Sequence, residues 1–457
     1  MATVDLLQDC RLFFKKGETQ SFDFRKEQLL KLKTAIKAHE QAIYTALYDD
    51  LKKSPEECWV TENGLVLSEI DHMLDHLKEW MRPERRTTNL VNLPSRSYVI
   101  REPMGVVLVI GPWNYPFQLM MKPIIGAIAA GNCIVAKPSE FAPATAAVIR
   151  KILEALFPKN FVCWVEGDGA TVIPEMMKAF VFDLVFFTGS TTVGKQIYKM
   201  AAEQLTPVIL ELGGKSPCLV LDDANMRVTA RRIAVTKFSN AGQMCVAPDY
   251  VLVPESKKQV LVDELKKAIK DFYGADASNN EGYCRIINTK QFDRLIRYLD
   301  GATILTGGEH NREKLFIAPT LLDNVDSNAA IMKEEIFGPL LPLISYSDDS
   351  DILKIIEANK NPLAFYVFSS DTKKAEQWLA KVPSGGACIN NASWHFANDH
   401  LPVGGRGNSG MGRYHGKESF DAFSHTKSVM RTPTWFDPAL KYPPFKGKLN
   451  LFKWFIR

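Results

Sequence analysis

Val106-Val107-Leu108-Val109-Ile110 is a run of five aliphatic residues set between Gly105 and Gly111. It is too short for an ordinary helix and has no polar position. A strand with one solvated face alternates apolar and polar residues, whereas a strand that is apolar throughout is covered on both faces, as in a parallel sheet between helices. Similar runs recur at Cys133–Ala136, Phe161–Val165, Leu184–Phe187 and Val208–Leu210, with helix candidates near 116–130, 142–156, 171–180 and 192–203 between them. A second alternating block has strand candidates at Pro217–Leu221, Tyr250–Val253, Ala302–Leu305, Leu340–Ser345, Ala364–Phe368 and Ala387–Ile389, and helix candidates near 224–238, 256–272 and 350–359. The alternation predicts two α/β units with parallel sheets. Upstream, residues 1–82 read as helices: Ile70, Met73, Leu74, Leu77, Trp80 and Met81 recur at helical spacing before Pro83. Tyr98-Val99-Ile100 reads as a short strand, 398–416 is a glycine-dense stretch that ends the periodic pattern, and the tail from Thr432 is broken by prolines.

The 457 residues imply two or three domains of about 100–200 residues each. With 46% hydrophobic and 24% charged residues the chain is neither disordered nor a coiled coil. The 56 Lys and Arg against 52 Asp and Glu leave +4, too small a charge to indicate a nucleic-acid partner. No apolar run approaches the ~20 residues that span a bilayer. The start, Met1-Ala2-Thr3-Val4-Asp5, lacks the pattern of a secretory signal. The eight cysteines are far apart, without a C-x-x-C pair, and read as reduced thiols. The expectation is a cytoplasmic protein with an ample core.

Three glycine patterns invite nucleotide binding. Gly405-x-Gly407-x-x-Gly410 follows Leu401-Pro402-Val403-Gly404, with no βαβ unit around it and no acid about 20 residues on, so it reads as a glycine-rich loop. Gly189-Ser190-Thr191-Thr192-Val193-Gly194-Lys195 continues with Gln196, where a P-loop needs Ser or Thr. It still stands at a strand-to-helix turn, which suits a phosphate facing the helix N-terminus as well as it suits a plain tight turn. Leu210-Glu211-Leu212-Gly213-Gly214-Lys215 puts a carboxylate at the end of an apolar strand, either as a partly desolvated general base or as a salt-bridged surface group. Seven cysteines lie in or beside apolar stretches and read as core. Cys245 lies instead in the small, polar loop Ser239-Asn240-Ala241-Gly242-Gln243-Met244-Cys245, where a thiol is open to activation as a nucleophile. His72 and His76 have the spacing of a metal pair, but Asp71, Asp75, Lys78 and Glu79 around them read as a solvated face, and no metal is implied.

Taken in order, the segments resemble the aldehyde dehydrogenase superfamily. The resemblance is carried by Gly111-Pro112-Trp113-Asn114-Tyr115-Pro116, Lys137-Pro138-Ser139-Glu140, Phe187-Thr188-Gly189-Ser190, Glu211-Leu212-Gly213-Gly214-Lys215, Gly242-Gln243-Met244-Cys245, Glu335-Ile336-Phe337-Gly338-Pro339 and Ser409-Gly410-Met411-Gly412-Arg413-Tyr414-His415-Gly416. The N-terminus and Val246-Ala247-Pro248-Asp249-Tyr250 are similar to the class 3 branch of fatty and aromatic aldehyde dehydrogenases. The likeness extends to about Ser428 and leaves the last thirty residues uncovered.

The resemblance implies the α/β fold of that family: a Rossmann-like cofactor domain over 1–82 and 103–210, a catalytic domain over 211–390, a bridging, oligomerisation segment over 83–102 and 391–430, and a tail from 431 to 457. It implies Cys245 as nucleophile, Asn114 as oxyanion donor with the Cys245 N–H, Glu211 as general base and Glu335 as a second acid that also contacts the nicotinamide ribose. Trp113, Lys137, Glu140, Gly189, Ser190, Val193, Gly194, Leu212 and Phe337 correspond to cofactor-binding positions, and Tyr115 and Met244 to the substrate pocket. Met244 departs from the Thr common in class 3. The cofactor would be NAD, with NADP also possible: Glu140 hydrogen-bonds a free 2′-hydroxyl and repels a 2′-phosphate. The implied reaction is NAD(P)+-dependent oxidation of medium- to long-chain or aromatic aldehydes to acids by a homodimer, with an aldehyde as its partner and no nucleic acid. Two rivals remain, a coenzyme A-acylating dehydrogenase, which Glu211 argues against, and a non-catalytic binding or structural protein on the same fold. The aromatic and basic cluster Phe445–Arg457 reads as a docking segment for a partner subunit or the substrate entrance, with membrane-surface contact as the alternative.

Overall fold

The structure, a computed structural model, describes residues 4–456. Five helices open the chain: α1 (Val4–Lys15), α2 (Phe22–Ala38), α3 (Glu40–Leu51), α4 (Pro55–Cys58) and α5 (Gly64–Trp80). Ser54 caps α4, its Oγ accepting from the Glu57 N–H at 3.2 Å, with Pro55 in the first turn where no N–H is needed. After β1 (Glu84–Arg86) and β2 (Arg96–Pro103) comes a strict alternation: β3 (Val106–Ile110), α6 (Gln118–Ala130), β4 (Cys133–Lys137), α7 (Pro143–Leu156), β5 (Val162–Trp164), α8 (Gly169–Ala179), β6 (Leu184–Thr188), α9 (Thr191–Ala202) and β7 (Val208–Glu211). A second series follows: β8 (Pro217–Val220), α10 (Met226–Phe238), β9 (Tyr250–Pro254), α11 (Glu255–Tyr273), α12 (Thr289–Arg297), β10 (Thr303–Thr306), the short hairpin β11 (His310–Asn311) and β12 (Phe316–Ile317), β13 (Thr320–Asp323), α13 (Ala330–Lys333), β14 (Leu340–Tyr346), α14 (Asp349–Glu357), β15 (Ala364–Phe368), α15 (Thr372–Lys381) and β16 (Gly386–Ile389). The chain closes with β17 (Gly410–Met411), α16 (Lys417–Ala422), β18 (Ser424–Arg431) and α17 (Leu449–Phe455).

The first sheet has the order β17-β7-β6-β3-β4-β5, parallel except for β17. Every residue of β3 and β4 is buried, as is the whole of α6, so the apolar runs are covered on both faces. The chain runs outward from β3 to β4 and β5 and then resumes at β6 on the other side of β3. That reversal opens a crevice beyond the carboxyl ends of β3 and β6. The second sheet, β10-β13-β14-β9-β8-β15-β16, is parallel except for β10 and has its own core. A third sheet, β1-β2-β18, is antiparallel.

Two elements absent from the sequence reading, β13 and α15, carry little apolar signal. In β13 only Leu321 and Leu322 are aliphatic, and α15 buries just Ala375 and Trp378. The glycine-dense stretch does not remain loop throughout: Gly410 pairs across from Glu211, and Val403 and Tyr414 enter the first core. His72 and His76 are not on an open face. Both are half-buried, with rings 4.5 Å apart, His400 4.8 Å from His72, and Trp80 stacked on His76 at 5.4 Å. Among the described residues no helix is long and apolar enough to cross a membrane.

Candidate active site

Cys245 stands in the loop between α10 and β9, where the backbone turns left-handed for three residues: Asn240 and Ala241 at φ 50° and Gly242 at φ 72°. Gly242 is required there, because an added Cβ would overlap the Gly338 carbonyl. Gln243 pins the loop from inside. Its Nε2 donates to the carbonyls of Asn240 and Arg285, each at 3.0 Å, and its Oε1 accepts from Ile287 N–H at 3.0 Å. The Gln243 carbonyl accepts from Nδ2 of Asn114 and Nδ2 of Asn240, both at 3.1 Å. The Asn114 carbonyl in turn accepts from Asn240 Nδ2 at 2.9 Å and Lys53 Nζ at 3.3 Å. Asn114, in the loop after β3, is thereby fixed beside the residues that present the thiol, with one of its amide hydrogens used.

Two carboxyl groups share this space. Glu211, the last residue of β7, is buried with Oε1 unpartnered, and burial holds its carboxyl well above the usual range. Glu335 lies with a carboxylate oxygen against the Cα of Gly213, its Oε1 also buried and unpartnered. Burial, followed by the charge of Asp249, pushes it up to about 8. The Cys245 thiol is itself raised, first by burial and then by the charges of Glu335 and Glu211. Three acidic groups thus compete for protons in one desolvated place, which is how a carboxylate becomes basic enough to take a proton near neutrality.

A buried brace, for which no role was read from the sequence, sets the position of Glu335. Lys215 pairs with Asp249 and donates to the carbonyls of Ile331 at 2.7 Å and Glu334 at 3.1 Å. Asp249 accepts from Ile336 N–H at 2.9 Å, and Arg294 donates to the Glu335 and Ile336 carbonyls at 3.3 and 2.7 Å. Lys215 and Asp249 stand inside two of the quoted motifs. Arg294, Lys53, Asn240 and Gln243 carry no local signal beyond charge or polarity in an otherwise small-residue context.

The remaining sequence-derived cofactor positions fall at or just beyond the carboxyl ends of β3, β4, β6 and β7, with Phe337 beside Trp113. Trp113 and Phe337 meet edge to face at 5.1 Å. Ser190 caps α9 through Val193 N–H at 3.4 Å, Gly194 packs on Leu212, and Leu212 N–H donates to the Ser409 carbonyl at 3.0 Å. Beyond β4, Lys137 pairs with Glu140 at 2.7 Å, and Glu140 also accepts from Gly169 N–H at 3.1 Å. Burial raises the Glu140 carboxyl, but Lys137 and backbone N–H groups outweigh it and hold the group below the usual range. The N-terminus of α9, aromatic walls and two unpartnered polar atoms, Oγ1 of Thr188 and Oε1 of Glu335, fit a dinucleotide. Tyr115 is 6% exposed, with the Lys53 ammonium 3.9 Å from its ring centre, so it forms the wall behind the site. Met244 is half-buried and packs on the second core.

A sequence model of the Aldehyde dehydrogenase family matches residues 7–429. The chain belongs to this family. It is 44% identical over 451 residues to the 4,4'-diaponeurosporen-aldehyde dehydrogenase of Staphylococcus aureus (strain NCTC 8325 / PS 47), covering 98% of each chain. It is 41% identical over 448 residues to the "Aldehyde dehydrogenase, dimeric NADP-preferring" of Canis lupus familiaris, again with 98% of each covered. The solved structure described as the substrate-bound state of Staphylococcus aureus AldH superposes with a TM-score of 0.97 at 44% identity over 99% of both chains. The protein is an NAD(P)+-dependent oxidoreductase that oxidises aldehydes.

Proposed function

We propose that this aldehyde dehydrogenase converts long-chain or aromatic aldehydes to carboxylic acids through a thioester on Cys245. The observation that carries the reading is the junction of the Asn114 amide and the Cys245 loop on one carbonyl, that of Gln243, beside two buried carboxyl groups. Cys245 Sγ adds to the aldehyde carbon, its proton passing to one of the carboxylates. The oxyanion so formed accepts hydrogen bonds from Asn114 Nδ2 and the Cys245 N–H. Bound NAD(P)+ supplies the acceptor for the hydride that the adduct expels. Glu211 takes a proton from the water that cleaves the thioester, releasing the acid and restoring the thiol. The balance is RCHO + NAD(P)+ + H2O giving RCOOH + NAD(P)H + H+.

Trp113, Phe337, Ser190, Val193, Gly189, Gly194, Leu212 and Glu335 would hold the dinucleotide near its phosphates and nicotinamide, and Lys137 with Glu140 the adenosine ribose. An ionised Glu140 favours NAD over NADP. The apolar, flexible Met244 next to the thiol and a relative named for 4,4'-diaponeurosporen-aldehyde support an extended apolar substrate. A relative named as dimeric, and β18 at a sheet edge with most of its residues exposed, support a homodimer built on the β1-β2-β18 sheet. The exposed Trp435, Phe436 and Phe445 support docking of the tail on the partner subunit. Eight free cysteines support a reducing, cytoplasmic setting.

NADH formation with C4 to C16 and aromatic aldehydes tests the reading, with Cys245→Ala as control and coenzyme A added in parallel. Turnover rising with chain length, independent of coenzyme A and lost in the variant is expected. Equal inactivity of wild type and variant across the panel would overturn it. Deleting 445–457 tests the tail: unchanged dimerisation and unchanged long-chain turnover would remove the docking role.

A further inference from the structure

The loop that presents Cys245 is held in a backbone shape that L-residues disfavour. Asn240 (φ 50°, ψ 31°) and Ala241 (φ 50°, ψ 35°) are both left-handed and neither is glycine. Such a run persists only where its surroundings over-determine it. Gln243 secures the far end of the turn, as described above. The near end, where the chain leaves α10, is secured from outside the second unit altogether. Glu57, in α4, reaches across with Oε1 to accept from Ser239 Oγ and from Asn240 N–H, each at 2.7 Å. Its Oε2 accepts the Cys284 S–H at 3.3 Å. Ser239 (φ −57°) is the last residue before the left-handed turn and Asn240 is the first within it.

The consequence reaches the reacting groups through Asn240. With its main-chain N–H held by Glu57, Asn240 directs Nδ2 to two carbonyls at once, that of Asn114 at 2.9 Å and that of Gln243 at 3.1 Å. Those carbonyls belong to the residue that carries the oxyanion amide and to the residue two before the nucleophile. We propose that Glu57 is a positioning residue for aldehyde oxidation: its carboxylate clamps the start of the left-handed turn and so sets the Cys245 thiol and N–H against the Asn114 amide. Glu57 does not act on the substrate. The proposal rests on Cys245 and Asn114 having the roles given above, and it assigns the N-terminal helical segment a part in the chemistry.

The test compares Glu57→Ala, Glu57→Asp, Glu57→Gln and Cys284→Ala in the full chain, with Cys245→Ala alongside. Each is measured for kcat, aldehyde KM, the rate of Cys245 alkylation by iodoacetamide, and thermal unfolding. Gln keeps an Oε1 acceptor at the same reach and should hold kcat within about threefold of wild type. Asp keeps the charge but withdraws the acceptor by one methylene, and Ala removes it. A misplacement of about 1 Å costs on the order of a hundredfold, so both should lower kcat by roughly 10- to 100-fold, slow alkylation in step and leave KM within about threefold. Cys284→Ala should stay within about twofold, since it leaves both Oε1 contacts in place. A folded Glu57→Ala or Glu57→Asp with wild-type kcat and alkylation rate would overturn the clamp, as would Gln falling as far as Asp. If Ala does not fold, the comparison of Asp with Gln still decides. Activity surviving in Cys245→Ala would instead defeat the thioester reading on which the clamp depends.

Discussion

Replacing Asn114 by alanine separates oxyanion stabilisation from loop structure more cleanly than any other single change. The side chain is 3% exposed and spends one N–H on the Gln243 carbonyl at 3.1 Å, leaving the other for an oxyanion. In Asn114→Ala the Gln243 carbonyl keeps its second donor, Asn240 Nδ2 at 3.1 Å, and the Asn114 main chain keeps Lys53 and Asn240. The structural loss is therefore one hydrogen bond, about 1 kcal/mol. The loss at the transition state is a preorganised oxyanion donor, worth about 3–4 kcal/mol, or roughly 10²- to 10³-fold in rate. The assay is the pre-steady-state burst of NADH at saturating cofactor, with thermal unfolding run in parallel. The burst rate should fall by two to three orders of magnitude while the protein unfolds within a few degrees of wild type. A folded variant with a burst within about fivefold of wild type would refute the placement of the oxyanion.

Three further outcomes follow from the charges. Glu335 is pushed up to about 8 in the folded chain against 4.5 for the free group. The folded state therefore binds more protons between those values, and stability falls as pH rises through that window. Glu335→Gln should melt above wild type at pH 8.5, and the gap should close below pH 4.5; a pH-independent difference would refute this. Lys237 is buried with no partner for Nζ, and burial lowers it to about 8 from 10.5. Its ammonium costs stability fully below pH 8 and not at all above 10.5, so Lys237→Met should stabilise the protein at pH 7 by on the order of 1–3 kcal/mol, with the gain shrinking as pH rises. Destabilisation at pH 7, read by urea unfolding, would mean the ammonium is paired in solution. Finally, Glu140→Gln removes a carboxylate held ionised by Lys137 and should raise the NADP+ to NAD+ ratio of kcat/KM by about two- to fivefold, the scale of one partly exposed charge contact. An unchanged ratio would place the 2′-position elsewhere.

What the sequence disclosed and what it hid divide along physical lines. β3 and β4 were legible because strands buried on both faces are apolar at every position, and a run such as Val106–Ile110 has no other comfortable reading. The β13 and α15 segments were not, since an edge-proximal strand with two leucines and a helix burying two residues leave no period to detect. Cys245 stood out from the other cysteines because small polar neighbours surround it. The residues that hold Cys245, Asn114 and Glu335 in place did not, because their partners are distant in the chain: Glu57 reaches Ser239 across 182 positions, Lys53 reaches Asn114 across 61, and Lys215 reaches Glu334 across 119. For the same reason the His72 and His76 pair looked solvated, as nothing local announces that His400 closes over it. The family motifs supplied the reacting groups, and only the packed structure supplied what orients them.

The central claim is that the acyl group passes through Cys245 and is released by Glu211. Glu211→Gln, rapidly mixed with NAD+ and a long-chain aldehyde, quenched in acid and digested, tests it directly. The account predicts a single turnover of NADH together with an acyl group on the peptide containing Cys245, absent when Cys245→Ala is combined with Glu211→Gln. Continued turnover with an unmodified Cys245 peptide, or an acyl group on another residue, would contradict it.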